Sequence, residues 1–227
     1  MRLLAIDSAL AACSAAVLDT GQSAVAAQES IAMQRGHAEA LMPLVARVME
    51  RAGLAFADLD RIAVTTGPGS FTGLRVGIAA ARGLALAAAK PVVGITTLAA
   101  FAAPLIAAAD RLPVVAAVDA RHDHVYLQVL GPGGRTLVAP RLANLREALR
   151  VAASGAPRLT GNAATLLAKA WPAGERPPSE VTQREAPDIA WVGWLGAVAN
   201  ESAAPPKPLY LRPPDAQPQS ASRLARR

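Results

Sequence analysis

A β-branched run, Ile62 to Thr66, passes through Gly67-Pro68-Gly69 straight into a long apolar stretch that begins near Ser70. No other segment restricts the fold as much, because strand, tight turn and buried helix must follow one another within a few residues. Gly67 and Gly69 admit backbone angles closed to other residues, and Pro68 stiffens the bend between them. Ser70 or Thr72 can accept a hydrogen bond from the free amides of the first helical turn. A helix start opened by glycines is also a place where an anion can sit.

Between Leu74 and Ala89 the only charges are Arg75 and Arg82, which predicts a helix buried on nearly every side. Gly73, Gly77, Ala81, Ala85 and Ala89 recur every fourth residue, a row of minimal side chains down one face. Such a row lets another backbone approach closely. Two readings stay open at this point: a helix packed on its own sheet, and a helix that also lies against a partner subunit.

The chain has 227 residues, room for one large domain or two lobes of about 100 residues each. Hydrophobic residues make up 52% and charged residues 18%, enough apolar surface for a sizeable core. The run Met1-Arg2-Leu3-Leu4-Ala5-Ile6-Asp7 meets an acid too soon for a signal peptide. Arg82 interrupts the best candidate for a membrane span. The single Cys13 excludes an internal disulfide and suits a reducing compartment, so a cytoplasmic protein without membrane contact is expected. The net charge of +6 is spread along the chain apart from Arg223, Arg226 and Arg227, and only 4% of residues are aromatic. Direct nucleic-acid binding is therefore weakly indicated.

The order of elements reads as two passes of one plan. Strands are expected at Leu3–Ile6, Ser14–Leu18 and Ser23–Gln28, then a helix at His37–Arg51 with Leu41, Leu44, Val45, Val48 and Ala52 at helical spacing. The strand Ile62–Thr66, the small-residue helix, a strand at Val92–Ile95 and a helix near Leu98–Ala109 complete the first pass. The second opens at Val114–Val118, continues at Val125–Leu130, turns at Gly131-Pro132-Gly133-Gly134 and returns at Arg135–Val138. Helices at Leu142–Val151, Ala163–Ala170 and Ile189–Asn200 follow, with a short strand near Arg158–Thr160. Each pass begins with a strand ending in aspartate, Asp7 and Asp119. The expectation is an α/β chain of two lobes, residues 1–110 and 111–212, built from duplicated βββαβαβα units as in the actin-like and Hsp70-like ATPase (ASKHA) fold. The Pro- and Arg-rich run 213–227 reads as a disordered tail.

Six segments together resemble the TsaB (YeaZ) family, the accessory subunit of the bacterial machinery that installs threonylcarbamoyladenosine in tRNA. They are Ile6-Asp7-Ser8, Gly36 to Pro43, Thr66 to Gly77, Pro91 to Leu98, Val118-Asp119-Ala120-Arg121 and Pro208-Leu209-Tyr210-Leu211-Arg212. They run in the family's order over nearly the whole chain, and Gly-Pro-Gly-Ser-Phe-Thr-Gly-Leu-Arg is the specific one. The resemblance implies a non-catalytic, dimerising and activating subunit for a TsaD-type catalytic subunit that carries the metal and the ATP. It also implies contact with a TsaE-type ATPase, a possible homodimer, and tRNA reached only through the complex. By this analogy His37, Leu41, Val45, Gly73, Leu74, Val76, Gly77 and Ala81 are expected to face the partner, while Asp7, Ser8, Gly67, Gly69, Ser70 and Asp119 would mark a vestigial nucleotide or anion site.

The residues offer little chemistry of their own. The catalytic relative uses two histidines four apart on one helix, whereas His37 is followed at that spacing by Leu41. His122 and His124 can share a strand face but lack a third ligand, so no metal is expected. Ser8-Ala9-Leu10-Ala11-Ala12-Cys13-Ser14 holds none of the glycines that wrap phosphates in actin-like ATPases, and Gly161-Asn162-Ala163-Ala164 is a thin substitute. Cys13 reads as a small core residue, and Ser70 has no histidine near it in sequence. Trp191 and Trp194 read as packing residues. The alternatives are an autonomous nucleotide-dependent kinase or hydrolase, and an RNA-binding module that uses the basic tail.

Overall fold

Alternation along the central strands sets the architecture. In β1 (Arg2–Asp7), Leu4 and Ile6 point into one core while Leu3 and Ala5 point into another, and all four are fully buried. A strand apolar on both faces needs cover on both. β1 pairs antiparallel with β2 (Ala12–Asp19), which pairs antiparallel with β3 (Ala24–Ala32). On its other side β1 pairs parallel with β4 (Arg61–Gly67), and β4 with β5 (Val92–Thr96), giving the order β3-β2-β1-β4-β5.

The second sheet repeats this. β6 (Val114–Asp119) pairs antiparallel with β7 (His124–Leu130), which pairs with β8 (Thr136–Asn144); β9 (Arg158–Gly161) and β10 (Glu180–Gln183) add parallel strands beyond β6. Its order, β10-β9-β6-β7-β8, is the first sheet's order strand for strand. Even the exit from the fourth strand is repeated: Gly67 and Gly161 both end it at φ 105°. The structure, a computed structural model, describes residues 1–108, 111–153 and 155–212. The expected lobe boundary at 110 and the tail at 213–227 lie outside the described residues.

One face of the first sheet carries α1 (His37–Ala52) and α2 (Phe71–Ala88), which bury Leu41, Leu44, Val45, Val48, Ile78 and Ala81 against Ile6, Val17, Ile62 and Val64. Fully burying each Leu, Ile or Val contributes about 1.5–3 kcal/mol. α4 (Leu145–Ala152) and α5 (Ala164–Lys169) hold the matching place on the second sheet.

The remaining two helices are exchanged. α3 (Thr97–Ala107), from the first half, packs Leu98, Phe101 and Ala102 against Val114, Ala116 and Val118 of β6. α6 (Ile189–Val198), from the second half, packs Ile189 and Val192 against Leu3, Ala5, Ala16, Leu18 and Ala63 of the first sheet. The two helices also touch each other. Residues 111–212 were expected to form the second lobe as a block; α6 instead closes the first, because β1 and β4 are apolar on the face that α1 and α2 leave open. Trp194 packs partly buried on that same cluster.

Three local expectations shift. The helix expected from Leu142 starts at Leu145, because Leu142–Asn144 continue β8 in register with Tyr126, Val125 and His124. β10 falls between the Pro- and Gly-rich stretch Trp171 to Ser179 and α6, where no strand was expected. β3 runs on to Ala32 where the strand was expected to end at Gln28, while the hairpin turn expected at Gly131 to Gly134 does join β7 to β8, through a short 3-10 helix at Pro132–Gly134.

Candidate docking face

The sequence points to the start of α2, and this region is filled from within. Ser70 caps the helix, its Oγ accepting from the Gly73 amide at 3.3 Å. The Ser70 amide donates to Ala9 O at 2.7 Å, and Ser8 Oγ donates to Gly73 O at 2.8 Å. A Cβ on Gly69 would stand 2.4 Å from Ala9 O, and one on Gly73 would stand 2.1 Å from Ser8 O. The Ser8–Ala9 backbone thus occupies the space an anion would need. At Ser8, Gly67, Gly69 and Ser70, expected to mark a vestigial nucleotide or anion site, the chain packs closely on itself: Ser8 is buried, and a Cβ on Gly67 would meet Leu74 Cδ1 at 2.9 Å and Leu209 O at 3.3 Å.

Asp7 and Asp119 differ as much as their places in the repeat agree. Asp7 is fully buried; its Oδ1 accepts from the Thr65 hydroxyl and from the Ala9 amide at 3.0 Å. Burial pushes its carboxyl above the usual carboxylate range, partly offset by those two hydrogen bonds and by the nearby His37. Asp119 is exposed, its Oδ1 accepting from the Arg121 amide at 2.7 Å while its own amide donates to Asn162 Oδ1 at 2.8 Å. Two surface cavities, of about 540 and 960 Å³, are lined by none of the six candidate anion-site residues. Burial, then Asp7, pushes the Cys13 thiol up to about 11. Among the described residues no three His, Cys, Asp or Glu side chains are placed to hold a metal ion.

Of the eight residues expected to face a partner, six lie in the chain's own interior. Leu41, Val45, Gly73, Leu74, Gly77 and Ala81 are buried inside this chain. A Cβ on Gly77 would meet Ser8 Oγ at 2.5 Å. The small-residue row therefore brings α2 flush with its own β1–β2 turn and β4. His37 is half-buried, its Nε2 3.0 Å from Leu10 O. Only Val76 remains at the rim, partly buried beside the α1–α2 core.

What the helix pair does present is its outer face. Met42 is 44% exposed, Leu86 is 85% exposed, and Ala46, Ala79, Gly83 and Ala87 are exposed beside them. Gly83 lies in the helix interior, and a Cβ there would meet nothing within 4 Å. A glycine so placed costs about 0.5–1 kcal/mol relative to alanine, and no contact among the described residues offsets that. By length and composition alone α2 is apolar enough to cross a membrane, yet one face is committed to the sheet and Arg75 and Arg82 stand on the other.

Residues 27–204 match a family model described as TsaD, tRNA N6-adenosine threonylcarbamoyltransferase. The solved structure of YeaZ from Pseudomonas aeruginosa is 30% identical, with a TM-score of 0.74 over 92% of this chain and 99% of that one. The chain belongs to the TsaB (YeaZ) family. A second Pseudomonas structure, described as similar to peptidase YEAZ, gives a TM-score of 0.76 at 28% identity over 93% of this chain and 99% of that one. TsaB of Escherichia coli K12, a tRNA threonylcarbamoyladenosine biosynthesis protein, is 40% identical over 126 residues, 56% of this chain and 53% of its own length. The chain thus matches about half the length of that relative. An uncharacterized protein of Mycobacterium tuberculosis H37Rv is 36% identical over 95% of this chain and 94% of its own.

Within this TsaB-family fold, three of the motif segments, Ile6 to Ser8, Thr66 to Gly77 and Pro208 to Arg212, meet at the start of α2. Ser8 bonds to Gly73, and the Leu209 amide donates to Thr66 O at 2.8 Å. Tyr210 stacks near Phe71, with ring centroids 5.4 Å apart. The duplicated α/β plan is the actin-like ATPase fold to which the TsaD family belongs. Met42 and Gly83 escaped sequence reasoning. The available signal was an interior helical glycine lying off the buried i+4 row.

Proposed function

We propose that this chain is the dimerisation and activating subunit of a tRNA N6-adenosine threonylcarbamoyltransferase complex, without catalysis of its own. It docks on a TsaD-type catalytic subunit through the outer face of α1 and α2. The observation that carries this reading is Gly83, a destabilising residue whose open surface lets a partner backbone come close. The names of the E. coli and Haemophilus influenzae relatives support the pathway. Removing Met42, Leu86 and the alanines between them from water supplies the affinity, at about 25 cal/mol per Å² before association costs. ATP and metal belong to the partner, a TsaE-type ATPase joins the pair, a second copy can take the partner's place, and tRNA is met only within the complex. The site of action is the cytoplasm. The alternative of an autonomous kinase or hydrolase finds no support in the closed turn at Ser8–Ala9.

The test is a pair of substitutions at one position. Gly83→Ala raises the stability of the isolated chain by about 0.5–1 kcal/mol in urea unfolding. Gly83→Leu leaves the fold intact, abolishes association with the TsaD-type subunit, and removes threonylcarbamoyladenosine formation from the reconstituted system. Retained association and activity in Gly83→Leu, or ATP hydrolysis by the isolated chain, would overturn the reading.

A further inference from the structure

Phe71, Arg75, Ala79, Arg82 and Leu86 succeed one another at spacings of three or four residues, so they form one stripe along α2, and all five are exposed. Two arginines stand on it, and α2 contains no acid. Arg75 is held in place: its guanidinium lies 3.7 Å from the Phe71 ring centroid, and its Nε donates to Tyr210 Oη at 3.1 Å. Phe71 is 42% and Tyr210 44% exposed, so this assembly stands at the surface. The guanidinium covers one face of the Phe71 ring. The Arg75 Nη groups have no partner among the described residues. A planar fork fixed in this way recognises an oxyanion with two parallel hydrogen bonds and little further loss of side-chain freedom.

We infer that Arg75, oriented by Phe71 and Tyr210, is a receptor for a carboxylate presented by the docking partner's helical face. This rests on the docking reading above. Gly83 adjoins Arg82 on the same helix, and Arg75 lies two turns away, about 10 Å along the axis. A partner helix pressed onto Gly83 therefore carries side chains within reach of both arginines. Charge selects the occupant. The adjoining α1 carries exposed Glu39, Arg47, Glu50 and Arg51; both of its arginines are paired with Glu29, so Glu39 and Glu50 disfavour a run of phosphates laid over both helices. A protein surface of mixed charge meets both helices without that conflict. Arg75 thus contributes orientation and encounter rate, while the apolar face holds the complex together. Tyr210 is a positioning residue, acting through the guanidinium it orients.

The experiment is surface plasmon resonance of the full-length chain against the purified TsaD-type subunit at several salt concentrations. Arg75→Gln is expected to weaken binding about tenfold and to flatten its salt dependence. Tyr210→Phe keeps the charge, so the salt dependence stays while dissociation speeds up. Gly83→Leu serves as the control for docking itself. Loss of binding in Gly83→Leu with parental kinetics in Arg75→Gln would overturn the carboxylate receptor and leave the docking reading standing. Parental binding in both variants would overturn the two together. If Arg75→Gln spares subunit association but weakens tRNA binding by the assembled complex, the oxyanion is a phosphate and the inference is wrong.

Discussion

At Asp7 the chain buries a carboxyl whose Oδ2 has no partner among the described residues. Its Oδ1 ties the end of β1 to Thr65 of β4 and to the Ala9 amide, so the side chain helps hold the turn that fills the α2 start. Burial raises its pKa in the folded state. Its favourable contribution is therefore complete below the ordinary carboxylate pKa and is lost as pH climbs through the raised value. We expect Asp7→Asn to gain on the parent as pH rises from about 4 to about 8, measured by chemical denaturation at each pH. A stability difference independent of pH would mean that Asp7 titrates normally. The glycines divide on similar grounds. Gly73 and Gly77 are explained by Ser8, whereas nothing among the described residues explains Gly83.

Among the elements, the exchange of α3 and α6 is the main structural device, and one arginine secures half of it. Arg61 of β4 donates through Nη1 to Gly196 O and Ala199 O at 2.9 Å and to Ala197 O at 3.3 Å, and through Nη2 to Glu201 at 2.8 Å. It satisfies carbonyls that the end of α6 leaves open, with only 13% of its side chain exposed. We expect Arg61→Ala to cost about 1–3 kcal/mol in urea unfolding, since three part-buried carbonyls lose a charged donor together. A cost below about 1 kcal/mol would show that α6 is held by Ile189 and Val192 alone. The strands were readable because their apolar runs are bounded by turn residues. β10 was not: Glu-Val-Thr-Gln is short, polar and at a sheet edge, where little apolar burial marks it. The lobe that receives α6 was also unreadable, because a helix apolar on all sides carries no sign of which sheet it covers. The small-residue row of α2 announced a close approach and could not say whether to its own sheet or to another chain. The structure gives that row to the sheet.

For the whole molecule, two copies of one sheet order joined by exchanged helices leave the outer surfaces of α1 and α2 as a broad face with several small side chains. Most residues that the resemblance assigns to a partner surface lie on the inner sides of these two helices. Leu41, Val45, Gly77 and Ala81 form the floor of the helix pair, whereas Met42, Ala79, Gly83 and Leu86 form its outer wall. The claim that this wall is covered by a partner has a direct test, because the chain's one cysteine, Cys13, is fully buried with its thiol pushed up to about 11. Ala79→Cys then supplies the one readily modified thiol, on the exposed side of α2. Its rate of maleimide labelling should be that of a solvated thiol in the isolated protein and should fall at least about tenfold when the TsaD-type subunit is added in excess. An unchanged labelling rate in a mixture that nonetheless forms the complex would contradict docking through this face.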